Sequence, residues 1–399
     1  MKSHLIARLG LASLLGLAAL PAHANYDKLL STLENNNTIT AEQAAELRAS
    51  APNYTVRPSS SVIKDLQIRG RIQLQAAYVE ADNDEGSDDY STLEARRVRL
   101  GLRGTLFDNV RAQLEANLVP GSDLSMRSAF LQWREYKPAY IKVGYDKPHL
   151  SIEENTSSAE ILTVERSMIN NLLATGPMNG ISLDGHLDLL FYGLGIYTDT
   201  DNRNKSGSDA KYLYNALLGL DLASLVGKGN TLRLQAVYTE SRDDNGKFGG
   251  KFDDALTFGA IAGTGGFQVV GEYMIADNDG DETKGWYIMP SYFLTDKLQA
   301  VAKYEQAETD NARGIRAASR YARDVPSLAV RETDNADGST SKFDPQRGSD
   351  YTALYLGLNY YLSGHAHKLM LGVELAELKG TDAGKLETTT VTTAWRMLF

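Results

Sequence analysis

The amino-acid sequence predicts an all-β chain: a transmembrane antiparallel β-barrel of about 16 strands, preceded by a short helical segment on the periplasmic side. Three observations carry this. The chain opens on an export signal, its body is a succession of segments in which apolar and polar residues alternate, and the connectors between them alternate between short and long.

The first element is the signal. Lys2 and Arg8 give a basic start, residues 9–20 (LGLASLLGLAAL) a short apolar core, and Ala22-His23-Ala24 a small-x-small cleavage site. Residues 1–24 are therefore expected to be a cleaved secretory signal, too short to anchor in a membrane, with a mature start near Asn25. Loss of Lys2 and Arg8 moves the formal charge from −10 to −12. There is no cysteine, which excludes a disulfide framework, a thiol nucleophile and a Cys-ligated metal.

Residues 25–65 are expected to be a periplasmic helical segment and linker. Leu29, Leu30 and Leu33 lie at helical spacing, Thr40-Ala-Glu-Gln43 is a capping box, and Pro52 and Pro58 mark a polar linker. The segment reads equally as a short oligomeric coiled coil or as a solvated tail.

Residues 66–399 are expected to form the barrel. No apolar run approaches the ~20 residues a membrane helix needs, the longest being LLFYGLGIY at 189–197. In residues 66–79, Leu66, Ile68, Ile72, Leu74, Ala76 and Tyr78 share one face, and Gln67, Arg69, Arg71, Gln73 and Gln75 the other. Residues 94–106 set Val98, Leu100, Leu102 and Leu106 against Arg97, Arg99 and Arg103. Residues 111–118 set Ala112, Leu114, Ala116 and Leu118 against Arg111, Gln113, Glu115 and Asn117. Each such strand has one face for lipid and one for water. The pattern places strands at 66–79, 94–106, 111–119, 127–136, 140–146, 179–186, 188–198, 212–221, 231–239, 254–263, 267–275, 285–294, 298–305, 350–362, 368–378 and 387–399. Tight turns are expected at 107–110, 137–139, 263–266 and 295–297, and long polar outer loops at 80–93, 199–211, 240–253, 276–284 and 306–349. The last strand aligns Val391, Thr393, Trp395, Met397 and Phe399, so Phe399 resembles the C-terminal signal read by the barrel-assembly machinery.

Residues 147–178 are the one long connector rich in apolar side chains, among them Ile152, Ile161, Leu162, Val164, Met168, Ile169, Leu172 and Leu173. A loop bathed in water gains nothing from that composition, so it is expected to fold inward and narrow the lumen. Arg69, Arg71, Arg97, Arg99 and Arg103 share the inner side of two neighbouring strands. Arg111 extends their wall toward the periplasm and Arg166 approaches from the loop; together these seven would make an anion path. Pairing of the arginines with Glu94, Glu115 and Glu165 would instead merely stiffen the wall. Arg96 falls on the outward face, at the level of headgroups or of a subunit contact, and Gln73 is expected to point into water.

The segments YDKLLSTLENNNTITAEQAAELRA, LQIRGRIQLQAAY and Arg96-Arg97-Val98-Arg99-Leu100-Gly101-Leu102-Arg103-Gly104 resemble the phosphate-selective porin O and P family. So do Val143-Gly144-Tyr145-Asp146-Lys147-Pro148 and Glu165-Arg166. The resemblance implies an outer-membrane homotrimer of 16-stranded barrels, surrounded by lipid and lipopolysaccharide, with an inward third loop. It also implies an arginine ladder for phosphate or polyphosphate, with Arg71, Arg97 and Arg99 as rungs and Arg166 on the constriction loop. The outer segments 80–89, 239–254 and 276–282 are acidic and no dense lysine cluster is present. A general, carbohydrate or organic-acid porin therefore remains the alternative, and a barrel enzyme or structural barrel a remote one.

Other chemistries find little support. His365-Ala366-His367 lacks a further ligand, His149 and His186 lack a Ser-Asp partnership, and Asp277–Glu282 misses the calcium-loop offsets. Gly246–Lys251 lacks the phosphate-loop pattern, and net acidity argues against nucleic acid. No cofactor or metal is expected, and no enzymatic activity.

Overall fold

The computed structural model describes residues 54–56, 60–136, 138–198, 212–242, 252–316, 320–334 and 340–399. The expected signal and N-terminal helices lie outside them, as do the loop at 199–211 and the Gly246–Lys251 run.

Sixteen antiparallel strands close into a barrel: β1 (Ile63–Asn83), β2 (Gly86–Leu106), β3 (Val110–Asn117), β4 (Ser125–Trp133), β5 (Tyr140–Asp146), β6 (Met178–Leu187), β7 (Leu190–Thr198) and β8 (Tyr212–Asp221), then β9 (Asn230–Arg242), β10 (Asp254–Thr264), β11 (Phe267–Asn278), β12 (Asp281–Phe293), β13 (Leu298–Thr309), β14 (Asp350–Ser363), β15 (His367–Thr381) and β16 (Gly384–Leu398). Each expected strand is present. Closure is made by β1 against β16, from Arg71 opposite Leu398 to Asp82 opposite Glu387. The seam ends where Gly70 N–H donates to the Phe399 carbonyl (2.6 Å) and Phe399 N–H to Gly70 O (3.1 Å). The Phe399 ring occupies the space a Cβ on residue 70 would need, so a larger residue there would have to displace the ring. A short strand, Tyr54–Val56, pairs with the foot of β1 and extends pairing into the expected linker.

Two expected outer loops are in fact strand. β1 and β2 pair as far as Asn83 opposite Gly86, and β11 and β12 as far as Asn278 opposite Asp281. The calcium-like run is a tight turn with positive φ at Asp279 (59°) and Gly280 (89°). Alternation loses its amphipathic signature there because the barrel rises above the membrane. Along β1 the outward positions change from Ile72 and Leu74 to exposed Glu80 and Asp82, while the inward ones change from Arg71, Gln73 and Gln75 to buried Ala77, Val79 and Ala81. Above the bilayer water is outside, and the apolar face turns in.

That inner rim is covered by two loops. Ala77, Val79, Ala81, Met274, Ala276, Tyr351, Leu378 and Leu386 from the strands form one cluster with Met168, Ile169 and Leu173 of the third loop and Tyr321, Val325 and Leu328 of the loop 310–349. The outer half of the lumen thus holds a core like that of a soluble protein, and the space left open lies off-centre, beside the inner face of β1–β4.

On the outside, Leu100, Leu102, Leu114, Leu131, Val143 and Ile181 are exposed, as a lipid-facing surface requires. Aromatic residues gather at both margins of this band: Tyr214, Tyr238, Tyr273 and Trp286 above, Trp133, Phe267, Tyr292 and Tyr360 below. Leu100→Arg is expected to cost about 2–4 kcal/mol near the bilayer midplane and to deplete the heat-modifiable barrel in membranes. Arg69→Gln, on the inner face, should assemble at the wild-type level; equal defects in both would refute the face assignment. Gln73 does not suit as that control. It is fully buried, its amide donating to Ser158 O (3.1 Å) and accepting from Arg97 Nη1 (3.0 Å).

Candidate functional site

The third loop, residues 147–177, carries two short helices, α1 (Ile152–Asn155) and α2 (Met168–Leu173), capped by Ser151 and Ser167. Wall carboxylates complete the caps, because exposed helix-start N–H groups attract anions. Glu272 on β11 accepts from Ile152 N (2.5 Å) and Glu153 N (3.0 Å), and Glu305 on β13 from Met168 N (2.6 Å). The stretch between the helices is held by wall cations. Arg396 on β16 donates to Val164 O (2.6 Å) and Ser158 O (2.9 Å), and Lys368 on β15 to Ile161 O (2.8 Å). Asn359 and Asn215 hold Leu162 O and His149 O. One side of the loop packs on the wall, with Ile152 and Leu162 against Val270, Tyr287, Met289 and Val301. The other side faces the arginines.

Between loop and wall lies a cavity of about 850 Å³ that runs from the outer loop around Ser122 and Asp123 down to Arg69 and Arg103. Ten basic and six acidic side chains line it. Of the seven residues singled out from the sequence, Arg69, Arg71, Arg97, Arg99, Arg103 and Arg166 line this cavity. Arg111 stands below it on β3, opposite Thr105 and Gln132.

Their partners differ. Arg71 reaches Ser158 Oγ (2.5 Å) and Ser157 Oγ (3.2 Å), Arg97 reaches Gln73, and Arg103 reaches Gln113 (2.7 and 2.9 Å). These acceptors are neutral and leave the positive charge uncancelled. Arg99 pairs with Glu115 (3.3 Å) and Asn117 (2.7 Å). Arg166 is a clamp within the loop, donating to Glu153 O (2.9 Å) and Thr156 O (2.8 Å) beside Glu154 (3.4 Å). Among the described residues, Arg69, Arg111 and Arg127 form no hydrogen bond or ion pair.

Arg96 is expected on the outward face, and the structure corrects this; Arg127, to which the sequence reading gave no face, enters the lumen in the same way. Gln73 faces Arg97 while Leu74 faces Ala95, so Arg96 is the extra residue of a β-bulge; Glu115 faces Ser128 while Ala116 faces Met126, so Arg127 is the extra residue of a second. Each bulge turns an arginine away from lipid and into the lumen. Arg96 grips Glu165 of the third loop with both ends of its guanidinium (2.7 and 3.1 Å). Burial alone would raise the Glu165 pKa, yet Arg96, Arg97 and Gln75 hold it well below the usual carboxylate range. Two further cations come from segments that periodicity does not read: Lys147, paired with Glu154, and Arg320 of the loop 310–349, paired with Glu94 (2.9 Å). Burial, reinforced by Arg127 and Arg166, draws Lys147 down to about 8 against the pull of Glu154. The sequence did carry a signal for Arg96: in an Arg-Arg doublet on a spanning strand, one member must face lipid unless a bulge turns it inward.

Among the described residues no group of three or more His, Asp or Glu side chains is placed to hold a metal. His149 rests on Asp184 (2.7 Å) at the start of the third loop, and His367 accepts from the Trp395 indole (2.8 Å).

A family model described as phosphate-selective porin O and P matches residues 66–266. Among solved structures, the chain is similar to an anion-selective porin from Comamonas acidovorans at 15% identity and a TM-score of 0.56, over 84% of this chain and 99% of that one. It is similar to a loop-deletion form of the outer-membrane protein OmpT of Vibrio cholerae at 11% identity and 0.54, over 83% and 98%. It is also similar to the outer-membrane channel DcaP of Acinetobacter baumannii at 12% identity and 0.53, over 86% and 99%. At these identities the likeness is one of fold. No curated protein matches the chain.

Proposed function

The chain belongs to the phosphate-selective porin O and P family, and from that premise we propose that this outer-membrane porin passes small anions, oxyanions such as phosphate foremost, along the arginine-lined side of its lumen. The observation that carries the reading is the excess of ten basic over six acidic side chains around one cavity of about 850 Å³. With all sixteen ionised, four net charges in that volume amount to a fixed-charge concentration on the order of several molar, against a bath of about 0.15 M salt. Fixed charge in such excess admits counter-ions and rejects co-ions, whatever the acidity of the distant outer turns. Guanidinium groups favour oxyanions over chloride because they donate paired hydrogen bonds and stay charged at physiological pH. The arginines bound to neutral acceptors, and those with no partner among the described residues, support conduction over mere stiffening of the wall. The stiffening reading describes the contacts of Arg99 with Glu115, of Arg96 with Glu165 and of Arg320 with Glu94.

The third loop sets the narrowest width in this reading, since it is tied to both sides of the barrel. A trimer is the proposed assembly; one of the similar solved structures, the OmpT of Vibrio cholerae, is described in a trimer form. Residues 1–24 are proposed to direct export, and Phe399 to be read by the assembly machinery.

In planar bilayers under a chloride gradient, the purified chain is expected to give an anion-selective reversal potential. Added phosphate should block chloride current at modest affinity, since a row of sites conducts only if each releases its ion. A cation-selective potential would overturn the reading.

A further inference from the structure

Further round the barrel from the arginines, the inner face changes character. On β7–β10 the inward positions include Phe191, Leu217, Val237 and Ile261, whereas those of β1–β4 that line the arginine cavity are mostly charged or amide-bearing. Apolar side chains facing an aqueous lumen gain nothing from water, so such a surface favours whatever covers it. Part of the cover comes from the protein. Phe191, Leu217 and Val237 pack on one another, and Ile152 of the third loop and Ile261 pack on the cluster around Val270 and Tyr287. The rest stays open as a second cavity of about 490 Å³, lined by the third loop and by the ends of β4–β10 nearest the periplasmic turns. Its size is that of a small-molecule site.

Two features set this chamber apart from the arginine cavity. The first is charge. Arg233 is its one arginine, against Asp184 and Glu160, so with His149 and His186 neutral it carries one net negative charge. The guanidinium of Arg233 lies 4.0 Å from the centre of the Phe191 ring and is committed to that stacked contact. An anion gains little here. The second is unmet hydrogen-bonding capacity. Gln235 lines the chamber, is only 8% exposed, and its amide nitrogen has no partner among the described residues. A buried amide left unpaired is costly, and a ligand that pairs it recovers that cost. Gln132 on β4 lines the same space, as does Asp184, which holds His149 (2.7 Å).

We propose that this chamber binds a neutral, polyhydroxylated ring, a sugar by chemical class. Its C–H face lies on Phe191, Leu217 and Ile261, and its hydroxyls pair with the amides of Gln132 and Gln235 and with Asp184. Amides donate and accept as hydroxyls do, and the apolar wall takes the ring face that water solvates least well. The site goes beyond the anion reading and does not depend on it. The two cavities meet at Asn155, Thr156 and Glu160 of the third loop, so that segment stands between the two ligands.

The test titrates the full chain in lipid nanodiscs with D-glucose, followed by saturation-transfer NMR. Glucose is expected to bind saturably, with its ring C–H protons receiving the most magnetisation. Mannitol, an open-chain polyol with no fixed ring face, should bind at least about tenfold more weakly, because it must be ordered on binding. Gln132→Leu with Gln235→Leu removes both amides at similar volume and should raise the glucose Kd at least about tenfold. Neither residue lines the arginine cavity, so the reversal potential of that variant should stay as in wild type. Inorganic phosphate should not displace glucose. If the double variant does not assemble, Gln132→Leu alone, at a half-buried position, should raise the Kd about threefold. Absence of saturable glucose binding, displacement by phosphate, or wild-type affinity in the Leu variants overturns the chamber as a sugar site. A cation-selective wild-type pore overturns the anion reading and leaves this site standing.

Discussion

Arg69→Glu combined with Arg127→Glu is expected to abolish the anion preference of the pore. The two substitutions leave eight basic and eight acidic side chains around a cavity now lined by ten and six. The net fixed charge falls from four to zero, and the chloride-to-potassium permeability ratio should fall to about one. These positions are chosen because neither guanidinium is hydrogen-bonded or ion-paired among the described residues, so reversal leaves no partner orphaned. Arg71 and Arg97 would be poor choices. Both are almost wholly buried, and a carboxylate in either place would sit unpaired among groups arranged to accept hydrogen bonds. Arg69→Gln with Arg127→Gln should fall between wild type and the double reversal. Reversal potentials in a salt gradient measure the effect. A double Glu variant with wild-type selectivity would mean that the path runs elsewhere.

Arg396→Met is expected to loosen the third loop and raise single-channel conductance. The Arg396 side chain is fully buried and donates to the stretch between α1 and α2 at Ser158 O and Val164 O. Ser158 O keeps Gln73 and Ile161 O keeps Lys368, whereas Val164 O loses its donor. A lost hydrogen bond to a charged group is worth about 1.5–3 kcal/mol, so the detached state should gain roughly ten- to a hundredfold in population for each bond lost. Methionine fills a similar volume without a charge, so barrel assembly should hold even as the loop frees itself. Conductance and open-channel noise should both rise. Deletion of residues 155–170 sets the upper limit, since it removes the loop segment between α1 and α2. If that deletion assembles and conducts like wild type, the third loop is not the constriction.

The barrel itself could be read from the chain, and the reason is physical. A spanning strand must offer apolar atoms to lipid at every second position, so sequence period and strand face are the same information. Leu100, Leu102 and Leu114 against Arg99, Arg103 and Gln113 are legible for that reason. Where the lipid constraint ends the signal ends too: the rims of β1–β2 and β11–β12 read as loops because Glu80 and Asp82 face water outside while Val79 and Ala81 face a core inside.

What the sequence by itself determined is thus the number of strands, the face each presents and the wall on which the arginines gather. The tertiary structure decided how that wall is used. Arg96 and Arg127 enter the lumen through bulges, and a bulge is a mismatch between two strands, set by the partner's register and absent from the strand's own pattern. The third loop shows an apolar composition of its own, but its course is set by Glu272, Glu305, Lys368 and Arg396, more than a hundred residues further along the chain. Residues 320–328 read as part of a polar outer segment until the inner rim supplies the apolar surface on which Tyr321, Val325 and Leu328 pack, with Arg320 on Glu94. Local periodicity records which way a side chain faces, while contacts between residues distant in sequence leave no period to read.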